Sequence, residues 1–127
     1  KVNKELCINV DLAPTLLGLA GLKAPPTMQG RSMIPLLKGK VPSDWRQSQF
    51  YTYWGAPNHY GIRTKRYTYL KLEGHTAELF DRETDPDQVH NVAANTENKA
   101  VVERLEKELQ KQIREVDISQ NNLPGHN

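Results

Sequence analysis

The chain has 127 residues, with 17 basic side chains against 15 acidic ones and a net charge of +2. That length allows one domain with a modest core, and the near-balanced charge gives no electrostatic footprint for nucleic acid. One cysteine, Cys7, excludes an internal disulfide and a Cys-rich zinc cage, and no apolar run is long enough to span a membrane.

Residues 6–10 read as a short strand, in which Cys7 is a small buried hydrophobe. Asp11 then caps a helix in which Pro14 is tolerated, because a first-turn N–H has no intrahelical partner. Leu12, Leu16, Leu19 and Ala20 fall at i, i+4, i+7 and i+8 as one apolar stripe, and Gly21 supplies a left-handed end. The segment 24–27, Ala-Pro-Pro-Thr, reads as an extended connector. Ser32 is placed to cap a single turn over 33–37 that stops at Lys38-Gly39.

From Val41 onward the pattern becomes strand-like. Residues 49–54 and 67–72 are rich in aromatics and alternate, and 61–64 with 67–72 form a hairpin around Lys65-Arg66. A fourth strand is predicted over 77–80. Asp85-Pro86-Asp87 is a turn, since Asp caps its own backbone and Pro fixes φ. A long amphipathic helix is predicted over 96–116: Val101, Val102, Leu105, Leu109, Ile113 and Val116 share one face, with Glu103–Lys107 and Lys111–Glu115 pairs outside. Residues 117–127 read as a frayed polar tail.

These elements define an α+β fold. A small antiparallel sheet of three to four strands packs against a long C-terminal helix, with an N-terminal helical segment beside it. The stripe of the first helix, or the second face of the sheet, would lack cover in isolation. Lys1 opens the sequence without Met or an apolar leader, so we expect a piece of a longer protein.

The loop Tyr53-Trp-Gly-Ala-Pro-Asn-His-Tyr-Gly61 is the best functional candidate. Its rings offer stacking faces, and its amide and imidazole offer directional hydrogen bonds, a mix that suits carbohydrate. The bland reading is a solvated hairpin loop with Trp54 packed on the sheet. Arg63 suits an anionic group through its bidentate fork, or else pairs with Asp81 or Glu78. The basic run 63–66 reads as a solvated turn. Asp81, Asp85 and Asp87 gather hard oxygen ligands but lack the glycine and alternation of a calcium loop, so turn capping explains them better. His75, His90 and His126 share no helical face and give no metal signal.

Four blocks, in order, resemble the late part of type I sulfatases of the alkaline-phosphatase-like superfamily. They are Val10-Asp-Leu-Ala-Pro-Thr-Leu-Leu-Gly-Leu-Ala-Gly21, Gln29-Gly-Arg-Ser-Met-Ile-Pro-Leu-Leu-Lys-Gly39, His59-Tyr-Gly-Ile-Arg-Thr-Lys-Arg-Tyr-Thr-Tyr-Leu70 and Glu78-Leu-Phe-Asp-Arg-Glu-Thr-Asp-Pro-Asp-Gln-Val-His-Asn-Val-Ala93. The resemblance is nearest to glycan sulfatases of the N-acetylglucosamine-6-sulfatase-like kind. It implies that residues 1–40 end the catalytic domain and dock the rest, and that 41–116 are the C-terminal subdomain. Under it, Asn58 and His59 contact the sugar and Trp54 shapes the pocket wall.

The resemblance implies formylglycine and calcium for the parent enzyme, with a sulfated carbohydrate as substrate and the missing N-terminal catalytic domain as partner. Neither cofactor is expected in this fragment. Leu6-Cys7-Ile8-Asn9 lacks the Pro and Arg of the formylglycine motif, so the fragment alone should not hydrolyse a sulfate ester. A periplasmic, secreted or lysosomal location follows from the resemblance, with no nucleic-acid or membrane partner. The alternatives are a stand-alone carbohydrate- or protein-binding module, or the tail of a related phosphatase or phosphodiesterase.

Overall fold

Two compact units divide the chain, Lys1–Arg46 and Gln47–Asn127. The computed structural model describes residues 2–55 and 57–116, so the tail expected over 117–127 lies outside the described residues.

In the first unit a 3-10 turn, Asn9–Asp11, runs into α1, Leu12–Leu19, and a one-turn helix α2 follows at Ile34–Leu37. No strand forms over 6–10. The turn consumes the backbone groups that a ladder would need: Asp11 N–H donates to Ile8 O at 3.0 Å, and Ile8 N–H donates to the Asp11 carboxylate at 2.9 Å. Cys7 is consequently exposed rather than buried. Ser32 Oγ accepts the Ile34 N–H only at a long 3.4 Å, so its cap on α2 is weak.

Asp11 does not cap α1 as the sequence suggests. It is fully buried, and its carboxylate makes no capping bond to α1. Instead it accepts the Ile8 and Arg31 N–H groups, the latter at 2.8 Å, and both arms of the Arg46 guanidinium, Nη2 at 2.7 Å. Thr15 Oγ1 adds a second tie, donating to Asp11 O at 2.6 Å and accepting the Met33 N–H at 2.8 Å. The loop that carries Arg31 passes so close that a Cβ on Gly30 would lie 1.9 Å from Val10 O. Trp45, also buried, donates Nε1–H to Leu6 O at 3.0 Å.

The end of α1 follows the sequence. Gly21 adopts φ +76°, and its N–H reaches Gly18 O while Leu22 N–H reaches Leu17 O, the paired bonds of a Schellman stop. The face of α1 turned into the unit is that of Pro14 and Thr15. The leucine stripe points the other way, with Leu12, Leu16 and Leu19 exposed by 55%, 65% and 63%.

In the second unit four antiparallel strands lie in sequence order: β1 Ser48–Tyr53, β2 His59–Thr64, β3 Tyr67–Leu72 and β4 Glu78–Asp81. Period-two alternation splits their side chains between two faces. Tyr60, Ile62, Tyr69 and Leu79 face a helix, α3 Lys99–Glu115, whose Leu105, Leu109 and Ile113 complete the core. At the margin of that core Glu106 accepts from Tyr69 Oη at 2.9 Å, Lys71 Nζ at 2.7 Å and Gln110 Nε2 at 3.0 Å. Burial pushes the Glu106 carboxyl upward, but these three donors together hold it below its ordinary value.

The turns match their chemistry. Asp85 accepts the His90 N–H at 2.8 Å through its side chain and the Gln88 N–H at 3.1 Å through its backbone oxygen. Asp81 is held by Arg66 at 2.7 Å. The basic turn is thus pinned by its second arginine, whose guanidinium also lies 4.9 Å over the Tyr67 ring.

Candidate functional site

The register of β1 and β2 decides what the β1–β2 hairpin presents. Tyr53 pairs with His59 and Tyr51 with Gly61, and Gln49 pairs with Arg63, so all of them share the sheet face opposite α3. On that face the His59 ring stacks on Tyr53, with centroids 4.9 Å apart and planes 29° from parallel. Its edge meets Tyr51 at 6.2 Å. His59 Nδ1 lies 3.1 Å from Pro57 O. A carbonyl only accepts, so this bond puts the proton on Nδ1 and leaves Nε2 an acceptor in the neutral ring.

Asn58 holds the loop's shape. Its Oδ1 accepts the Gly55 N–H at 3.0 Å, its Nδ2 donates to Glu73 Oε2 at 2.8 Å, and its backbone oxygen accepts the Glu73 N–H at 3.0 Å. Beside it Trp54 is 64% exposed rather than packed on the sheet, and Tyr53 is 54% exposed. The hairpin end therefore presents two exposed aromatic surfaces and a ring-stacked imidazole, over an amide-stapled loop.

Trp54, Asn58 and His59 come together, and Arg63 does not join them. It stands four residues along β2, about 13 Å away at roughly 3.3 Å per residue. Arg63 also lacks the expected ion pair. Asp81 is taken by Arg66, and among the described residues no carboxylate lies within salt-bridge distance of Arg63. Burial, and then the charge of Arg82, push the Arg63 guanidinium below its ordinary value, with Tyr51 opposing. Tyr51 is itself pushed up to about 12 by burial, with Arg63 pulling it down and Glu78 adding to the rise.

Tyr53 opens the loop singled out in the sequence, whereas Tyr51 and Glu73 belong to this site and are missing from it. The tyrosines were legible as an i, i+2 pair leading into the loop. Glu73 was not, because it follows β3, 15 positions from Asn58, and only the strand pairing brings the two together.

The fold and the sequence place the chain among sulfatase C-terminal regions of the alkaline-phosphatase-like superfamily. A protein solved with its substrate, D-glucosamine-2-N,6-O-disulfate, superposes with a TM-score of 0.82 at 31% identity, over 92% of this chain and 25% of that one. The family profile described as N-sulphoglucosamine sulphohydrolase, C-terminal, matches residues 1–115, and the chain belongs to that family.

The N-acetylglucosamine-6-O-sulfatase of Bacteroides thetaiotaomicron is 35% identical over 91% of this chain, which spans 23% of that protein. The ulvan-active sulfatase of Formosa agariphila is 30% identical over 84% of the chain and 22% of its own length. The phosphonate monoester hydrolase of Agrobacterium radiobacter shares the architecture at a TM-score of 0.71 and 26% identity, covering 83% of this chain and 24% of its own. The chain thus spans about a quarter of the length of the relatives it matches.

The residues here do not fit the cofactors that the family implies. Cys7 has no Pro or Arg at the formylglycine offsets, and among the described residues no three His, Cys, Asp or Glu side chains gather to hold a metal.

Proposed function

We propose that this chain is the C-terminal part of a glycan sulfatase, and that the parent hydrolyses a sulfate ester on a glucosamine-type sugar. The 35% identity to an N-acetylglucosamine-6-O-sulfatase along 91% of the chain carries this reading. The β1–β2 hairpin end is its share of the substrate pocket. Trp54 and Tyr53 offer faces to a sugar ring, His59 Nε2 accepts from a hydroxyl, and Asn58 fixes the loop while its second amide proton reaches the sugar. Arg63 meets an anionic group further along the sheet. Formylglycine and calcium belong to the N-terminal catalytic domain, and the first 40 residues dock against it. A periplasmic, secreted or lysosomal location goes with this reading, and fractionation of the expressing cells checks it.

The test uses the whole polypeptide with 6-O-sulfated N-acetylglucosamine, reading released sulfate. Release by the wild type is expected, with KM raised about tenfold and kcat nearly kept in His59→Ala, as loss of uniform substrate binding demands. The shared fold of the phosphonate monoester hydrolase supports a second reading. Turnover of a phosphonate monoester with no sulfate release would move the assignment there. Tight sugar binding by the 127-residue chain alone would favour a binding module.

A further inference from the structure

On the other face of the sheet, α3 and the edge strand β1 enclose an open groove of about 450 Å³, lined by Ser48, Arg104, Lys107, Glu108, Lys111 and Arg114 among others. At 3.6 residues per turn the four basic positions fall within a sector of about 80°, and they extend about 15 Å along the helix. All four are exposed. Arg104, Lys107 and Arg114 form no ion pair with any described residue, and Lys111 meets Glu115 only at a long 3.8 Å. The Glu103–Lys107 pair expected from the sequence does not form.

The acidic groups nearby are differently placed. Glu108 lines the groove too, where it accepts from Gln112 Nε2 at 3.1 Å and Ser48 Oγ at 3.0 Å, and these donors with the charges of Lys111 and Arg104 hold its carboxyl below its ordinary value. By the same helical geometry Glu103 and Glu115 flank the basic sector.

We infer that this groove is a second binding track, for the polyanionic chain of a sulfated glycan. A row of four cations, three of them without an ion pair, set on apolar stems beside a sheet edge matches a ligand with repeated anionic groups. The arginine forks take sulfate bidentately, and the lysines act as point charges. The length of the row suits a run of sulfated residues better than one sulfate ester. The track lies across the sheet from His59, so it engages polymer that extends beyond one sugar. The identity of the polyanion rests on the glycan-sulfatase reading above.

The test compares the whole wild-type enzyme with a quadruple variant, Arg104→Gln, Lys107→Gln, Lys111→Gln and Arg114→Gln. Glutamine keeps helix propensity, and these side chains lie outside the core. The probes are immobilised heparin, unsulfated dextran, a sulfated polysaccharide substrate and the 6-O-sulfated monosaccharide. About tenfold weaker heparin binding is expected, on the order of four exposed ion pairs, with a shallower salt dependence. KM for the polymer should rise by a similar factor, with kcat and KM for the monosaccharide unchanged. Equal heparin binding by the two proteins, or equal loss on dextran, would overturn the track. If neither protein releases sulfate, the sulfatase reading falls, and the heparin comparison still decides the track by itself.

Discussion

Asp11 shows how one side chain organises a segment that has little apolar material to bury. Removing a carboxylate from water is costly, and here two backbone N–H groups and both arms of Arg46 offset that cost. Burial raises the Asp11 pKa, but the Arg46, Arg31 and Ile8 donors and the Arg46 charge outweigh it and hold the carboxyl below its ordinary value. The pH consequence follows from that sign. The ion pair contributes stability that is fully present above the unfolded carboxyl's value of about 3.9, and that is lost as pH falls through the lower folded value. Acid titration followed by tryptophan fluorescence should report this through Trp45, whose indole is bound to Leu6 in the same unit. Asp11→Ala leaves the guanidinium without its counter-charge, and it should cost about 3–5 kcal/mol in thermal unfolding. Gly30→Ala should destabilise the same unit, because its methyl would collide with Val10 O, a backbone atom. The sequence betrayed neither role. Asp before an apolar run is an ordinary cap signal, and its true partner sits 35 positions away.

At the scale of elements, legibility follows how local the determining forces are. The long helix was readable because Leu105, Leu109 and Ile113 recur at the helical period, and they are the residues buried against the sheet. Leu109→Ala should therefore cost about 2–5 kcal/mol, measured by denaturant unfolding, whereas Lys107→Ala should be nearly silent. The hairpins were readable because Tyr, Thr and Ile alternate on either side of turn residues, although β2 begins at His59 rather than Gly61. Residues 6–10 have a similar apolar look and form no strand, because a strand exists only where a neighbour takes up its ladder. The candidate site was half legible for the same reason. Trp54, Asn58 and His59 are neighbours in sequence and stay neighbours in space. Arg63, assigned to the same cluster, is carried away by the rise of β2. Tyr69→Phe removes one of three donors from Glu106, and it should cost about 1 kcal/mol with activity unchanged.

At the scale of the whole molecule, exposed leucines on α1 and a family match covering about a quarter of each relative point the same way. The 127-residue chain by itself should show no hydrolysis of an aryl sulfate. It should also self-associate through the stripe of Leu12, Leu16 and Leu19, and Leu16→Glu with Leu19→Glu should restore a monomer in sedimentation. Leu16 and Leu19 contribute nothing to the buried face of α1, so the double variant should keep its helix content by circular dichroism. The Asp11 clasp also bears on how such a protein is made and cut. Its three donors arrive at positions 8, 31 and 46, so a ribosome must release residue 46 before the first unit can close. Any shortened version that stops ahead of Arg46 inherits a buried carboxylate with no cation to face.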